Sequence, residues 1–378
     1  AGYAAPATIA AWERARVLAE QRGEHRQLAR TLYGLWAARQ SLGETRTALG
    51  TADRIIEIGT RIGDEGVQIV GHRVRALTVH ALGDYEAARA ELEELLALPL
   101  DRHSDLRFEF GQDPRIAATA IYSNVLWGMG HTDLAVRTSL QNVERAVALG
   151  HVNSLTYALA YGACLVAMLR GDTAEALRLS GQLMQVARNY HSPFWESYGK
   201  VYRGWALARQ GEARLAVALL KSASEGFKEV GSALYVPLTM GVSAYVLGRA
   251  GRHEEARGRV EEAVAEAERR EEIWSLPELL RLKARTLRHL GQAETGISLL
   301  DKAFGLARTR GMRSWELRLA CDLVEFRRAG SARDQAVSAL RQVLDAFPEQ
   351  ADTPDRRRAL ALLNAANPAV AGSAIQGK

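Results

Sequence analysis

The sequence predicts an all-α protein, a right-handed α-solenoid of TPR-like helical hairpins with a period of about 40 residues. Three observations predict it: glycines at near-constant spacing, apolar residues at helical intervals between them, and a composition rich in helix formers. Gly2, Gly43, Gly83, Gly130, Gly171, Gly211, Gly251, Gly291 and Gly330 lie 41, 40, 47, 41, 40, 40, 40 and 39 residues apart. Each ends one helix in the left-handed conformation and lets the next fold back. A small residue follows within the next helix, at Ala48, Ala88, Ala135, Ala176, Ala216 and Ala256, with Gly296 filling that slot once. Small residues there let paired helices approach closely.

A weaker series, Gly23, Gly63, Gly150, Gly231 and Gly311, falls midway and marks the return turn, so each period holds two helices of similar length. Within the periods Leu92, Leu95 and Leu96, and likewise Val260, Ala263 and Val264, follow the i, i+3, i+4 pattern of an amphipathic helix. Two-helix units cannot bury their apolar faces alone, so stacking is expected to join residues 1–378 into one superhelical domain. The register breaks once, at 98–115, an inserted loop bracketed by Pro99 and Pro114 and carrying Arg102, His103, Phe108, Phe110 and Asp113. Insertions in repeat arrays gather on one face and often carry function; the alternative is a surface loop anchored by its phenylalanines. Gly2 sits at a mid-hairpin turn, so residues 5–22 read as a second helix without its partner, and more protein is expected before residue 1. A last helix over 353–364 and a flexible tail over 366–378 complete the organisation.

Hydrophobic residues make up 47% and charged residues 25%, the balance of a chain that buries a large core. The net charge of +5 comes from interleaved signs, as in HEEARGRVEEAVAEAERR, which reads as solvated helix faces rather than a nucleic-acid footprint. Two cysteines, Cys164 and Cys321, support neither a disulfide framework nor a zinc site and point to a reduced, cytoplasmic setting. The apolar runs are interrupted short of a membrane span, and no signal peptide is visible at the start.

Several segments carry a resemblance: GYAAPATIAAWERARVLAEQRGE, LARTLYGLWAARQSLGE, RHSDLRFEFGQDP, ALGH, FWESYGKVYRGWALARQGE and FPEQADTPDRRRALALL. They resemble the C-terminal tetratricopeptide-repeat region of bacterial multidomain signalling proteins. In these, a class III adenylate/guanylate cyclase or winged-helix domain precedes a STAND-type ATPase and then the repeats. The resemblance implies a regulatory segment that senses a ligand or protein. The ATPase's phosphate loop, GxxxxGK[ST], is absent, so nucleotide chemistry is not carried over to these residues.

Catalytic spacing is not found. His72 and His80 stand eight apart on one helix without an acidic companion at the right step, HExxH is missing, and no serine sits in a GxSxG elbow. No cofactor or metal is assigned. Recognition is expected on the concave wall lined by the first helix of each hairpin: Tyr33, Arg73, Asn124, Trp127, Tyr161, Tyr202, Trp205, Tyr245, Arg249, Arg285 and His289. Aromatic and arginine side chains make binding hot spots, whereas the plain alternative is that each fills space between hairpins. Tyr202, Trp205 and Tyr245 are expected to cluster mid-groove, with Arg249, Arg285 and His289 making the next stretch positive. Trp12, Trp36, Trp195, Trp274 and Trp315 read as core anchors. The expected partners are a protein segment or the upstream ATPase domain, a small molecule, or a second copy. Rival readings are a pure scaffold for that ATPase and a sugar-sensing repeat domain of a transcription activator; nucleic acid is a minor one.

Overall fold

The structure, a computed structural model, describes residues 4–230 and 234–366. Gly2, Gly231 and the tail from 367 onward lie outside the described residues. Among the described residues there are helices and turns but no strand.

Helix α1 (Pro6–Arg22) precedes a first complete hairpin of α2 (His25–Leu42) and α3 (Thr45–Ile62). Then α4 (Glu65–Ala81) pairs with α5 (Tyr85–Ala97). The inserted segment is not an open loop: it forms a single 3-10 turn, Leu100–His103, and the short α6 (Leu106–Phe110). Next, α7 (Pro114–Gly128) pairs with α8 (Thr132–Leu149). A seven-residue π segment, Ala158–Cys164, joins α9 (Val152–Tyr157) to α10 (Leu165–Arg170) as one inner helix, which pairs with α11 (Thr173–Asn189). Three hairpins follow: α12 (Pro193–Arg209) with α13 (Ala213–Val230), α14 (Val236–Arg249) with α15 (His253–Arg270), and α16 (Leu276–His289) with α17 (Ala293–Thr309). The last pair is α18 (Arg313–Phe326) with α19 (Gly330–Asp345), and α20 (Pro354–Ala366) packs on both.

The small-residue slot behaves as packing requires. Ala48, Ala88, Ala135, Ala176, Ala216 and Ala256 are all fully buried, and a Cβ on Gly296 would lie 3.0 Å from the Ala284 carbonyl oxygen. Where the weaker glycine series skips, His191 and Glu271 adopt the left-handed conformation themselves. First helices form the inner layer: α7 buries 12 of its 15 residues, α8 only 6 of 18. One apolar cluster runs continuously from Ala19 to Ala359. The inner helix spanning Val152–Arg170 has the length and apolar character of a membrane span, contrary to the expectation from sequence, and 83% of it is buried in this core.

The superhelix closes on itself. The mid-hairpin turns of the first four hairpins meet the chain about five hairpins later. At the first, Gly43 has φ +79 and packs so close to Arg270 that a Cβ would stand 2.1 Å from its Cγ. Beside it Thr45 Oγ1 donates to the Arg270 carbonyl at 2.5 Å, and Arg46 pairs with Glu271 at 2.6 Å. At the second, the backbone N–H of Ile273 donates to the Ala81 carbonyl at 2.8 Å, and Tyr85 donates to the Trp274 carbonyl at 3.3 Å. At the third, Ser314 donates to the Trp127 carbonyl and the Asp133 N–H to Glu349 at 2.7 Å. At the fourth, Arg318 reaches the Leu169 carbonyl while its Nε holds Asp355 at 2.7 Å.

Gly43→Ala adds a side chain where the backbone is left-handed and Arg270 is already in place. The expected cost is about 1–2 kcal/mol from the backbone conformation alone, more from the clash, and thermal unfolding measures it. Glu272, at the same closure, accepts from Trp274 Nε1 at 3.0 Å. Burial pushes its carboxyl up to about 7, against the Trp274 hydrogen bond and the Arg270 charge, with Glu266 adding to the rise. A raised carboxyl binds a proton in the folded chain that the unfolded chain releases, so this stability is lost as pH climbs from about 4.5 through about 7. Glu272→Gln should therefore gain on the order of 2–3 kcal/mol over the parent at pH 8 relative to pH 5, read as the difference in denaturation midpoints at the two pH values.

Candidate functional site

Among the described residues, two cavities along the inner wall collect most of the inward-facing side chains singled out from sequence. The first, of about 460 Å³, lies within the first superhelical turn, between α1, α2 and α4 on one side and α9, the π segment and α12 on the other. Its walls are aromatic: Trp12, Tyr33, Trp36, Tyr157, Tyr161, Phe194 and Trp195. Tyr161 is the hub, edge-on to Tyr157 at 4.8 Å, Tyr198 at 5.0 Å, Trp195 at 5.3 Å and Tyr235 at 5.6 Å. Burial raises the phenols of Tyr157 and Tyr161 well above their ordinary value, so they stay neutral donors.

The π segment sets this wall. Widening the helix frees carbonyls from their usual partners. Two side chains take them up: Asn124 Nδ2 donates to the Tyr161 carbonyl at 2.7 Å, and Tyr202 Oη to the Ala160 carbonyl at 2.8 Å. Asn124 and Tyr202 are thus buried positioning groups, and Trp127 is a buried ring packed edge-on to Trp315 at 4.6 Å. None of the three lines either cavity: Asn124 and Tyr202 are turned onto the π segment, and Trp127 is covered by Trp315 and Arg318 of the later turn.

Arg73 enters the chamber from α4. It is 5% exposed, its Nη1 donates to Gln112 Oε1 at 3.2 Å, and its guanidinium lies 5.5 Å from the Tyr33 ring centroid. Tyr33 Oη donates to the same Gln112 oxygen at 3.1 Å. Nε and Nη2 of Arg73 have no protein partner, nor does Trp12 Nε1. Among the described residues no carboxylate pairs with Arg73. An unpaired buried cation costs several kcal/mol, so this group sits at odds with a purely structural role.

The inserted segment is divided: Phe110 and Gln112 back the chamber, while Asp105, Phe108 and Glu109 line an open outer cleft of about 800 Å³ against α2. Phe110 is buried edge-on to Tyr33 at 5.4 Å, and Gln112 follows it into the lining. Asp113 caps α7, accepting from the Ile116 N–H at 3.0 Å and from Ser104 at 2.6 Å. His103 pairs with Glu65 at 3.0 Å and Arg102 is exposed. Phe108 is 72% exposed under Arg107.

The second cavity, of about 660 Å³, lies among α12, α14, α16, α18 and α20 and collects Trp205, Tyr245, Arg249, Arg285 and His289. Tyr202 does not line this cavity, although Trp205 and Tyr245, with which it was expected to cluster, do. Arg209 stacks on Trp205 at 5.1 Å, and the His253 and His289 rings stack at 4.6 Å. Burial first, then the neighbouring His253, Arg285 and Arg288 charges, lowers His289. Much of the positive charge here is already matched: Arg281, Arg285 and Arg358 converge on fully buried Asp322. The basic run at 281–288 is thus largely spent inside the fold, not offered as a strip.

His80 is a neutral packing ring, pushed down to about 3 by burial beside Tyr85 and Trp274. Among the described residues no cluster of His, Cys, Asp or Glu has the makings of a metal site.

Sequence reasoning placed Tyr33, Arg73 and Tyr161 on the inner wall, where they are. It missed Gln112, Asn153, Tyr157 and Phe194 and read Trp12, Trp36 and Trp195 as core only. The available signal was the aromatic density of 153–161 and 194–198 on successive inner helices.

Hairpin geometry and inner-layer cavities together define a helical-repeat solenoid of the TPR-like class. Solved structures agree on the fold. A Rap protein complexed with Competence and Sporulation Factor superposes with a TM-score of 0.53 at 11% identity, covering 91% of this chain and 99% of that one. NprR in complex with its cognate peptide NprX gives 0.54 at 10% identity, covering 89% and 99%. An uncharacterized protein of Rhizobium meliloti (strain 1021) is 23% identical over 269 residues, 68% of this chain, and the chain spans 26% of that relative's length. No family model matches.

Tyr202→Phe removes the donor to the π segment and leaves the ring. It should lower stability by about 1–2 kcal/mol, measured by denaturant unfolding, because the Ala160 carbonyl is left buried and unpaired.

Proposed function

We propose that this chain is the ligand-sensing regulatory segment of a larger signalling protein, binding a short peptide or small molecule in the aromatic chamber. The observation that carries the reading is the chamber itself, a concave, aromatic-lined cavity with a few convergent polar groups. Its walls come from helices far apart in sequence. An occupant touching α2 and α4 as well as α9 and α12 would therefore favour one arrangement of the superhelix over another. No catalytic step is assigned to it.

Three further observations support the reading. Rap and NprR share the fold and were solved with a factor and a peptide bound, respectively. The Rhizobium meliloti relative is far longer than the region it shares, as expected of a repeat segment within a multidomain protein. The sequence resemblance suggests that a STAND-type ATPase with a cyclase or winged-helix output domain precedes the repeats in a cytoplasmic protein, and would receive the signal.

The test is a thermal-shift screen of short peptides and small metabolites against the parent and against Ala37→Phe, which fills the chamber from α2. A ligand at a hundred times its Kd should raise the parent's melting temperature by roughly 3 °C and leave the filled variant unmoved. Ligands that stabilise both proteins equally, or a screen with none, would remove the chamber from consideration.

A further inference from the structure

We propose that the ligand taken by the chamber is a monocarboxylate with an aromatic or branched apolar body, its carboxylate gripped by Arg73. This rests on the chamber being the binding site and names the chemistry it selects.

The unpaired atoms decide the class. Gln112 occupies Nη1 of Arg73, and Tyr33 fixes Gln112 by donating to the same oxygen. What is left is Nε and Nη2, which share one edge of the guanidinium plane. Two parallel N–H groups on one edge match the two oxygens of a carboxylate, the bidentate pairing for which arginine is suited. Two further unpaired groups belong to lining residues: Trp12 Nε1, which only donates, and Tyr161 Oη, a neutral phenol that can donate as well. A neutral sugar would satisfy donors without matching the charge, whereas one carboxylate does both.

Around this head the walls are rings, with Tyr157, Tyr161 and Trp195 offering apolar faces and edges to the body of the ligand. The same chemistry has two sources: a free aromatic acid, or the C-terminal carboxylate of a peptide whose last side chain enters the chamber.

The whole chain is titrated calorimetrically with four probes: indole-3-propionate, its amide, acetyl-Ala-Leu-Phe with a free C-terminus, and the same peptide amidated. A free acid should bind at least about tenfold more tightly than its amide. If the peptide acid outbinds indole-3-propionate the source is a peptide terminus, and the reverse order assigns a small acid. In Arg73→Met, which keeps the apolar stem, the acid should weaken by about tenfold to hundredfold and its advantage over the amide should vanish. Because a lone buried charge opposes folding, the same variant should melt no lower than the parent. A purely structural Arg73 would instead lower it. Equal binding of acid and amide, unchanged acid affinity in Arg73→Met, or no acid bound at all overturns the proposal. Acids that bind Ala37→Phe as well as the parent overturn the chamber itself; binding that needs the open chamber yet ignores Arg73 leaves the chamber standing and removes the carboxylate.

Discussion

Everything the molecule presents depends on the contact between the early mid-hairpin turns and the chain about five hairpins later. A stack of helical pairs has two free ends and, in an open superhelix, a continuous exposed inner groove. Here Gly43, Gly83, Gly130 and Gly171 let the later turn settle directly against the first: Arg270, Ile273, Pro348 and Pro354 each lie over one of them. Hydrogen bonds to the Ala81, Trp127 and Leu169 carbonyls, from the Ile273 N–H and the Ser314 and Arg318 side chains, fix the register of that contact. Closure covers part of that groove, and the second cavity takes its walls from α10 and α12 as well as from α18 and α20.

Inside those walls, polar groups divide into two kinds. Most are matched by a partner chosen for shape. Asn124 and Tyr202 restore hydrogen bonds freed by the π segment, and Asp322 gathers three arginines, two from α16 and one from α20. Such satisfied networks rigidify the interior. Arg73 belongs to the other kind, half-held by Gln112 and with a whole edge unmatched. The contrast between the two cavities is electrostatic in origin: the larger one largely neutralises its own cations, and the aromatic one does not.

The fold was readable because its cause is local. Glycine spacing, the alanine slot and helical periodicity each report on contacts within one hairpin, and the structure keeps all three, with Ala48 to Ala256 fully buried. The candidate site was readable only in part. Tyr33, Arg73 and Tyr161 could be assigned to the inner face from their distance to a turn, but facing inward does not distinguish lining a cavity from being covered. Asn124, Trp127 and Tyr202 share that inward facing and are covered. Gln112 was overlooked because the break in register made its segment look like a surface loop.

By itself, then, the sequence determined the period, the two-helix unit and which helix of each pair faces inward, since these follow from backbone conformation and contacts between neighbours. Only the tertiary structure decided where the later turn comes to rest on the first, and with it which inward side chains meet and which guanidinium is left without a counter-charge. Those outcomes accumulate from small rotations at every hairpin and join residues more than a hundred positions apart. No local pattern records such a sum.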